Sequence, residues 1–441
     1  MVQRRRNVLR ASAIFIASIF IASTSVIEAH AGAFALREQD TVGQGDGFAG
    51  VAAGGSIGSM FWNPATMTQV NGGGIAVNAA GILPNSDIHT GAGSTFGGPP
   101  FNLGGASNTG SAALLPSVYS TWQLNPNLWL GLAVNSPFGL SVTFPDAWAG
   151  RSYALGSSVS SYNANPSVAM RITDWLSVGV GAQLQFARAD LMLGLGLPPS
   201  AFAIHGSGWG YGFTAGATIT PTRNTAIGIG VRSALDQKID GSLVVNANLP
   251  ATAGPVNTTV KLPDVVSAGI RQRVDNRWML LGTVEWTNWS RIGTSVFNQP
   301  SGGPATIAGI PVALPFQYRD GWYYSLGAEY AFDARTTFRG GVAYETSPIT
   351  DRVRIPLLPD SDRFSLSAGI SLKMAPSMTL DLGYTHIWFK NANLNISSAS
   401  GNPWFTPPVS FVGDASVDVN IFSVGFRYLF DAPASKPGPR G

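Results

Sequence analysis

Apolar and polar residues alternate along most of the chain, and the alternation is strict in several segments. Between Leu176 and Phe186 one face reads Leu, Val, Val, Ala, Leu, Phe, whereas the other consists of Ser, Gly and Gln. The segments 322–330, 364–372 and 378–388 follow the same pattern. Because successive side chains of a strand point to opposite faces, this period predicts strands with one apolar face and one small or polar face.

About fourteen such segments follow residue 70. They lie near 73–82, 113–123, 128–143, 158–172, 175–190, 209–220, 224–245, 258–273, 277–290, 318–331, 335–348, 361–373, 377–391 and 415–430. Short connections such as Thr173-Asp174 alternate with long ones such as 83–112, 191–208 and 291–317. Outer-membrane barrels combine short periplasmic turns with long outside loops. The pattern therefore predicts an all-β fold, a transmembrane antiparallel β-barrel of about fourteen strands.

The composition favours a membrane barrel over a soluble β-domain. Only 12% of the residues are charged, compared with about 25% in a typical soluble domain. After residue 31 no stretch of about 18 apolar residues occurs, so no membrane helix is predicted. A closed barrel is then the remaining way to satisfy every backbone group in lipid.

Residues 1–31 have the features of an export signal. Four arginines come first, an apolar run from 11 to 27 follows, and Ala29-His30-Ala31 fits a cleavage site. The signal holds four arginines and one glutamate, so of the 27 basic and 24 acidic residues the mature chain keeps 23 of each. This balance gives no basic patch for nucleic acid.

The stretch 32–70 has no alternation and is rich in glycine, which permits tight folding of the backbone. Asn63-Pro64-Ala65 contains a turn or helix-start signal, since proline fixes φ and restricts the residue before it. We interpret 32–70 as a hatch with short helices inside the barrel, 71–430 as the barrel, and 431–441 as a disordered periplasmic tail.

Two motif matches in the hatch carry no chemistry in this context. Residues 45–50 fit G-x-G-x-x-G, but no strand or βαβ unit surrounds them. Residues 54–58 fit G-x-S-x-G, but no α/β pattern supplies the acid and the histidine that a nucleophile elbow needs. The chain has no cysteine, and its mature histidines are scattered, without metal-ligand spacing. We therefore expect no cofactor, no metal and no enzymatic activity.

Eight short blocks occur in one order along most of the mature chain. They are Gly32-Ala33-Phe34, Asn63-Pro64-Ala65, 136–140, 209–213 with Arg232-Ser233, Leu262-Pro263-Asp264, 286–290, Ser347-Pro348 and 359–364. Together they resemble the FadL/TodX family of outer-membrane transporters for fatty acids and other hydrophobic compounds. The resemblance implies a fourteen-stranded barrel, an internal hatch, a kinked third strand, and passive, ligand-gated uptake.

Pro137-Phe138-Gly139 interrupts a strand predicted from Leu128 to Phe144. Proline removes a ladder hydrogen bond and is confined to bulges and edges of sheets. A plain β-bulge without a transport role is one interpretation. The family resemblance favours the other, a sideways opening in the wall through which the ligand leaves.

The candidate ligand-binding residues fall into three groups. They are Phe34, Leu36, Phe61 and Trp62 on the hatch, Ser136 and Phe138 at the kink, and Arg188 with the apolar residues Leu191, Leu193, Leu195, Leu197, Phe202 and Ile204 beyond it. An exposed apolar loop usually marks a binding site, and the resemblance implies an outer collecting groove there. The alternatives are that the loop residues pack under neighbouring loops and that the hatch aromatics form the core of the hatch.

Five charged residues are predicted to face the lumen, namely Arg188, Glu285, Glu329, Glu345 and Asp381. We interpret them as a solvated or ion-paired network that holds the hatch.

The ligand class is the least constrained property. A buried carboxylate needs Arg or Lys partners, and fatty-acid carriers of the family place bases just beyond the strand that matches 183–188. Here the continuation is Asp190-Leu191-Met192-Leu193, and Asp190 neutralises Arg188. This favours neutral or weakly polar hydrocarbons over fatty acids, unless Arg232 or Arg271 binds the acid.

Three other functions remain open from the sequence, namely a general porin for polar solutes, a lipid-acting barrel enzyme and a soluble β-domain. The expected partners of a transporter are a hydrophobic ligand, outer-membrane lipid and the outer-membrane assembly machinery. The last would read the aromatic final strand, which ends at Phe430. We expect a monomer that binds no nucleic acid.

Overall fold

The computed structural model describes residues 33–96, 103–196, 198–247 and 250–430. The signal predicted for 1–31, the tail predicted for 431–441 and Leu197 lie outside these residues. Within the described ranges, no helix is long and apolar enough to span a bilayer.

Fourteen antiparallel strands close into a barrel. They are β1 Gly73–Thr90, β2 Ala113–Asn125, β3 Leu128–Asn135 and Gly139–Thr143, β4 Gly156–Arg171, β5 Leu176–Gly194, β6 Ala201–Thr222, β7 Thr225–Arg232 and Leu235–Asn246, β8 Gly254–Leu262 and Val265–Arg273, β9 Trp278–Thr287, β10 Gly321–Ala331, β11 Thr336–Glu345, β12 Arg363–Ala375, β13 Met378–Phe389 and β14 Val409–Leu429. The barrel closes where β1 pairs with β14, with Gly74 opposite Leu429. The predicted barrel of about fourteen strands is confirmed.

Short elements complete the described chain. The hatch contains α1 Thr41–Gly45 and the 3₁₀ helices Val51–Ala53, Ile57–Phe61 and Pro64–Gln69, and a further 3₁₀ helix spans Trp289–Ile292. The loops contain the short strands Thr95–Phe96, Thr294–Val296, Thr306–Ile307, Ile310–Pro311, Ala313–Pro315 and Ala392–Ile396. The last of these pairs with β14 and so prolongs the sheet above β13.

Several predicted loop boundaries are wrong, including the start of β14, which lies at Val409 rather than near residue 415. The segment 191–208 is largely strand, because β5 continues to Gly194 and β6 begins at Ala201. Likewise β1 continues to Thr90, although a loop was predicted from residue 83. These strand ends belong to the loop side of the barrel, where the simple alternation of apolar and polar residues along the sequence is lost.

The outward face of the barrel is apolar and the inward face is polar. Along β5 the even-numbered Val178, Val180 and Leu184 are exposed, whereas the odd-numbered Gln183 and Gln185 are buried. Exposed aromatic side chains flank this band at both ends, such as Trp278 and Phe332 at the turn end and Trp209, Tyr324 and Trp388 at the loop end. Aromatic girdles of this kind mark the two membrane interfaces of outer-membrane barrels.

Residues 33–70 lie within the barrel, and all except Gly55 and Gln69 are buried or half-buried. Polar side chains organise this hatch. The Asp40 carboxylate caps α1 by accepting a hydrogen bond from the Gly43 N–H at 2.8 Å. The Asn63 side chain caps Pro64–Gln69 at the Ala65 N–H (3.0 Å) and also donates to the Ala217 carbonyl of β6 at 2.9 Å. Asn63 therefore fixes a helix start and ties it to the wall.

The hatch backbone lies directly against glycines of the wall. A Cβ atom on Gly341 would lie 2.0 Å from the Asp46 carbonyl oxygen, and one on Gly230 would lie 1.9 Å from that of Trp62. Real Cβ atoms do not approach backbone so closely. These inward positions accept no side chain while the hatch stays in place.

We expect Gly341→Ala to displace the hatch, at a cost of about 1–3 kcal/mol or more, because the new methyl group overlaps backbone that cannot move alone. Gly340→Ala is the matched control, since its Cβ would lie 3.9 Å from the nearest atom. The measurement is thermal unfolding in detergent, together with limited proteolysis of residues 33–70. Equal stability and equal protection of the two variants would contradict the direct contact.

Candidate functional site

The barrel wall contains a window between β2 and β3. Below it the two strands pair up to Val118 opposite Val134. Above it the next contact is the bridge between Gly110 and Val142. In between, residues 113–117 and 135–140 do not pair with each other in the described structure. Pro137 lies in this gap on β3, and Pro116 lies beside it on β2, and neither residue has an N–H that needs a partner.

The first residues of the hatch close the window from inside. We call Ala33–Gln39 the strap. The Leu36 N–H donates to the Pro137 carbonyl at 2.8 Å, and the Gly139 N–H donates to the Phe34 carbonyl at 2.9 Å. Ala35 thereby bridges Phe138 as an antiparallel partner. Because β3 does not pair with β2 at the kink, the Pro137 carbonyl and the Gly139 N–H lack partners in the neighbouring strand. The strap binds these two groups and so replaces the missing strand there.

Side chains of the strap fill the rest of the window. Leu36 is buried against Ala113 and Leu115 of β2 and against apolar residues of β1, β13 and β14. The Gln39 amide donates to the Ser136 carbonyl at 2.8 Å, and the Ser117 hydroxyl donates to the Gln39 carbonyl at 2.6 Å. Both edges of the window are therefore tied to one hatch residue.

An apolar cluster lies above the strap, beneath the outer loops. The ring of Phe34 contacts Trp289 and Phe138 with centroid distances of 5.0 Å and 5.8 Å, and Trp289 contacts Tyr318 at 6.3 Å. We call this the upper cluster. Its other buried members come mainly from the loops and the loop ends of strands, including Leu140, Phe144, Leu235, Leu262, Ile349, Leu358 and Phe411. Phe138 thus belongs to the wall, to the strap contact and to the upper cluster.

Buried charges anchor the lower end of the strap. Arg37 pairs with Glu285 of β9 at 2.7 Å and with Glu345 of β11 at 3.7 Å, and its guanidinium lies 3.7 Å from the ring centroid of Tyr323. Glu345 also pairs with Arg363 at 2.9 Å. Arg363 in turn pairs with Asp360 at 2.8 Å, and Asp360 accepts a hydrogen bond from the Ala33 N–H at 3.3 Å. Glu345, Arg363 and Asp360 thus connect Arg37 to Ala33 at the start of the strap through ion pairs and a hydrogen bond.

The predicted acidic residues Glu285, Glu329, Glu345 and Asp381 all lie on the inward face, in ion pairs. Glu329 pairs with Arg271 at 3.0 Å and with Arg339 at 3.3 Å, and Arg339 also lies 3.6 Å from Asp46 of the hatch. Asp381 pairs with Arg427 at 2.6 Å.

The prediction that Arg188 faces the lumen is wrong. It lies on the outward face with Val180 and Leu184, its side chain is 70% exposed, and its partner Asp190 lies 3.9 Å away. Residue 188 has the same parity as those lipid-facing residues, so the alternation along β5 already assigned it to the outside.

The apolar residues after Arg188 pack beneath loops rather than forming an open patch. Ile204 lies in a buried cluster with Leu243, Phe297 and Val312, and Leu191, Leu195 and Phe202 pack against it. Leu193 is buried as well. In the described structure these side chains take the alternative arrangement, in which neighbouring loops cover them.

The four hatch candidates divide between two places. Phe34 and Leu36 lie at the window, as described above. Phe61 and Trp62 contact each other at 4.9 Å and are buried in a hatch core with Phe48, Met60 and Met67. These two rings therefore pack the hatch, away from the strap.

Sequence reasoning missed Arg37, Gln39, Ser117 and Trp289. The run Arg37-Glu38-Gln39-Asp40 was a usable signal, because four polar residues in a densely packed segment each need a partner. Arg232 was named only as an alternative. Of the buried arginines in the described structure, Arg151, Arg232, Arg354 and Arg363, it alone makes no ion pair. It donates instead to the Phe61 carbonyl and to the Gln183 side chain. No group of three potential metal ligands occurs among the described residues.

Known proteins resemble most of the chain. A family model described as outer membrane protein transport protein (OMPP1/FadL/TodX) matches residues 21–430. The long-chain fatty acid transport protein of Salmonella typhi is 25% identical, covering 91% of this chain and 95% of that protein. A solved FadL homologue of Pseudomonas aeruginosa has a TM-score of 0.79 at 20% identity, covering 91% of this chain and 100% of its own. The toluene transporter TodX of Pseudomonas putida has a TM-score of 0.65 at 15% identity, covering 91% and 99%. The solved structures establish a shared fold.

Glu38 predicts a pH dependence of the strap. Its carboxylate is buried and accepts a hydrogen bond from the Arg37 N–H at 3.0 Å. Burial raises its pKa from 4.5 to about 7, although nearby Arg37 and Arg363 oppose the shift. A raised pKa in the closed state means that the stabilisation is complete below the ordinary pKa and is lost as the pH rises through about 7.

We therefore expect the protection of strap amides from hydrogen exchange, corrected for intrinsic rates, to fall between about pH 5 and pH 8. The opening equilibrium should change by about tenfold or more, since one pKa unit corresponds to about 1.4 kcal/mol. Glu38→Gln should abolish this dependence, and amides of β5 should show none. The same slope in wild type and Glu38→Gln would exclude Glu38 as its source.

Proposed function

Because the chain belongs to the OMPP1/FadL/TodX family of outer membrane transport proteins, we propose that it takes up hydrophobic compounds passively, through the window that the strap closes. The observation that carries the proposal is the pairing of Phe34 and Leu36 with the β3 kink. An opening in the wall leaves backbone groups of β3 without a paired strand, and these groups need hydrogen-bond partners while the opening is closed. The strap supplies these partners and is short enough to move away.

The contacts that hold the strap against β3 are few enough to break and re-form. The strap holds β3 by two backbone hydrogen bonds, each with a net contribution of about 0.5–1.5 kcal/mol. In contrast, β5 and β6 pair along their whole length, from Leu176 opposite Ile219 to Gly194 opposite Ala201. Moving Phe34 to Leu36 while Arg37 and Gln39 keep their contacts therefore breaks far fewer backbone bonds than separating two strands.

The proposed route begins at the outer loops and passes through the upper cluster. A hydrophobic ligand there would lie against Phe34, Phe138 and Trp289, next to the window. Leaving sideways keeps it among apolar groups, with the bilayer as the destination. The axial route leads instead through the hatch and its buried ion pairs, where an apolar ligand would separate charges at a large cost.

The names of the relatives cover two ligand classes. The protein from Salmonella typhi is named for long-chain fatty acids, and TodX is named for toluene. We propose the shared class, hydrophobic compounds, for this chain, and within it we favour neutral or weakly polar ones. Arg188 lies outside the barrel and Arg271 is paired with Glu329. Arg232 is the remaining candidate for a carboxylate, and it already donates to Phe61 and Gln183.

We further propose that the outward aromatic row of β14, ending near Phe430, serves recognition by the outer-membrane assembly machinery, and that the protein acts as a monomer. In support, Phe422, Phe426 and Tyr428 are exposed on one face of this strand. The barrel is closed by pairing within one chain.

Locking the strap tests the route. Ala35 and Phe138 form an antiparallel pair flanked by hydrogen bonds of their neighbours, a type of pair with Cα atoms about 4.5 Å apart and within disulfide range. The chain has no cysteine of its own. We expect Ala35→Cys/Phe138→Cys to take up a labelled hydrophobic compound poorly when oxidised, at least tenfold more slowly, and to recover on reduction.

Phe138→Cys alone is the control, because it removes the ring without locking the strap. Uptake that is equally fast in the oxidised and reduced double variant would show that the ligand leaves by another route, for instance along the barrel axis.

The ligand class can be tested by competition with the purified protein in detergent. We expect an alkylbenzene and a fatty-acid methyl ester to bind at least as tightly as the free long-chain acid, in the wild type and in Arg232→Gln, with Arg188→Gln as an outer-face control. If the free acid binds tenfold better, about 1.4 kcal/mol, and Arg232→Gln removes the difference, then Arg232 binds carboxylates and the preference for neutral ligands is wrong.

A further inference from the structure

The lipid-facing wall contains an apolar cleft of about 610 Å³ across β7 to β12. Gly282 lies at its floor, where adding a Cβ would meet no atom closer than 3.4 Å. Ile270, Leu326 and Val342 rise around it from the neighbouring strands. The volume is far larger than the about 30 Å³ of one water. An apolar concavity of this size in the wall of a membrane protein suits an acyl chain.

The cleft lies in the outer half of the bilayer. Its upper end is formed by Tyr324, Tyr344 and Phe364, which stand in one row near the loop ends of β10, β11 and β12. The row of Ile270, Gly282, Leu326 and Val342 follows towards the turn end. A chain in the cleft would therefore hang from the outer aromatic girdle towards the middle of the membrane.

A cationic pair lies directly above the cleft, in contact with it through Tyr344. The Tyr344 hydroxyl donates to Asp362 at 3.0 Å, and the Lys390 ammonium lies 3.0 Å from Asp362 and 3.3 Å from the same hydroxyl. Arg319 approaches Asp362 from another side at 3.8 Å. The acid is 24% exposed, whereas Lys390 and Arg319 are 65% and 56% exposed. Asp362 therefore holds the cations in place, and the cations are outermost.

The remaining charge nearby does not compete for these cations. Asp320, next to Arg319 in the chain, accepts hydrogen bonds from the Trp286 indole and the Ser290 N–H, both at 3.1 Å. The ammonium of Lys390 has three donors and uses two of them within the protein. An exposed donor remains for an anion, and charge-assisted bonds from Arg and Lys are those that phosphate prefers.

We propose that this cleft and the Arg319–Lys390 pair bind lipopolysaccharide, the phosphorylated and multiply acylated glycolipid of the outer leaflet. One acyl chain lies in the cleft over Gly282, and a phosphate lies against the two cations. The aromatic side chains of Tyr344 and Phe364 contact the junction between sugar and chain. The site is on the outside of the barrel and is independent of the transport route, so it stands or falls separately from the proposed function.

The test is native mass spectrometry of the full-length protein, delipidated in detergent and titrated with purified bisphosphorylated, hexa-acylated lipid A. We expect one tightly held molecule. Arg319→Gln/Lys390→Gln should weaken its binding by about tenfold or more, and Gly282→Trp, which fills the cleft, should do the same. Arg188→Gln removes an exposed outer-face cation on β5, far along the wall, and should leave binding unchanged.

Two further measurements test whether binding requires phosphate and whether the phosphate belongs to lipid A or to a phospholipid. Lipid A without phosphates should bind at least tenfold more weakly to the wild type, and phosphatidylglycerol should not displace bisphosphorylated lipid A at equal concentration. Unchanged binding in both site variants, or equal loss in Arg188→Gln, would overturn the proposal. Displacement by phosphatidylglycerol would overturn the assignment to lipopolysaccharide. The double variant changes only exposed side chains, so it remains informative if Gly282→Trp fails to fold.

Discussion

Backbone groups in a lipid-facing wall need hydrogen-bond partners, and at the β2–β3 window the strap supplies them. Strand pairing joins most of the remaining wall, including its closure between β1 and β14, although residues 208–213 of β6 and 233–239 of β7 do not pair with each other in the described part of the chain. At the kink, the Pro137 carbonyl and the Gly139 N–H bind to Leu36 and Phe34. Without the strap, these groups would face hydrocarbon unpaired, at a cost of several kcal/mol for each. The unpaired groups of the kink and the strap therefore satisfy each other.

The strap has two parts that differ in how firmly they are held. Arg37 is bound to Glu285, Glu345 and the ring of Tyr323. Breaking a buried ion pair costs about 3–5 kcal/mol, because it leaves a charge uncompensated. From Phe34 to Leu36 the strap is held by apolar contacts and by two backbone hydrogen bonds. A movement of the apolar tip around a fixed Arg37 is thus the cheapest way to open the window, and the hatch core around Phe61 and Trp62 can stay in place.

Much of the architecture was predictable because it is local. Alternation located the fourteen strands, loop lengths indicated which end faces outside, and Pro137 marked the kink. The closure of the window was not predictable, because Ala35 and Phe138 are about a hundred residues apart and no local pattern links them. The loop-side residues Leu191 to Ile204 were misjudged for a different reason. At the loop ends of β5 and β6 the inward face packs beneath loops whereas outward residues such as Met192 are exposed, and the sequence there has neither the strand alternation nor the polarity of a loop. Arg188 was assigned to the lumen although its even position on β5 places it on the outward face with Val180 and Leu184.

The position of Phe138 suggests how a ligand opens the window. A hydrophobic ligand that replaces Phe34 against Phe138 and Trp289 forms similar apolar contacts, so the exchange itself changes the free energy little. The losses are the two backbone hydrogen bonds of the strap, about 1–3 kcal/mol in total if water takes their place and several kcal/mol for each group that is left unpaired in hydrocarbon. The gain is the transfer of the ligand from water, about 25 cal/mol per Å², and aromatic side chains bury about 150–250 Å². A ligand of similar size thus gains about 4–6 kcal/mol, which exceeds the loss where water reaches the freed backbone groups and Phe34 moves to other apolar neighbours. A small polar solute gains no such term and leaves the strap in place, so selectivity for hydrophobic compounds follows from the same contacts that close the wall.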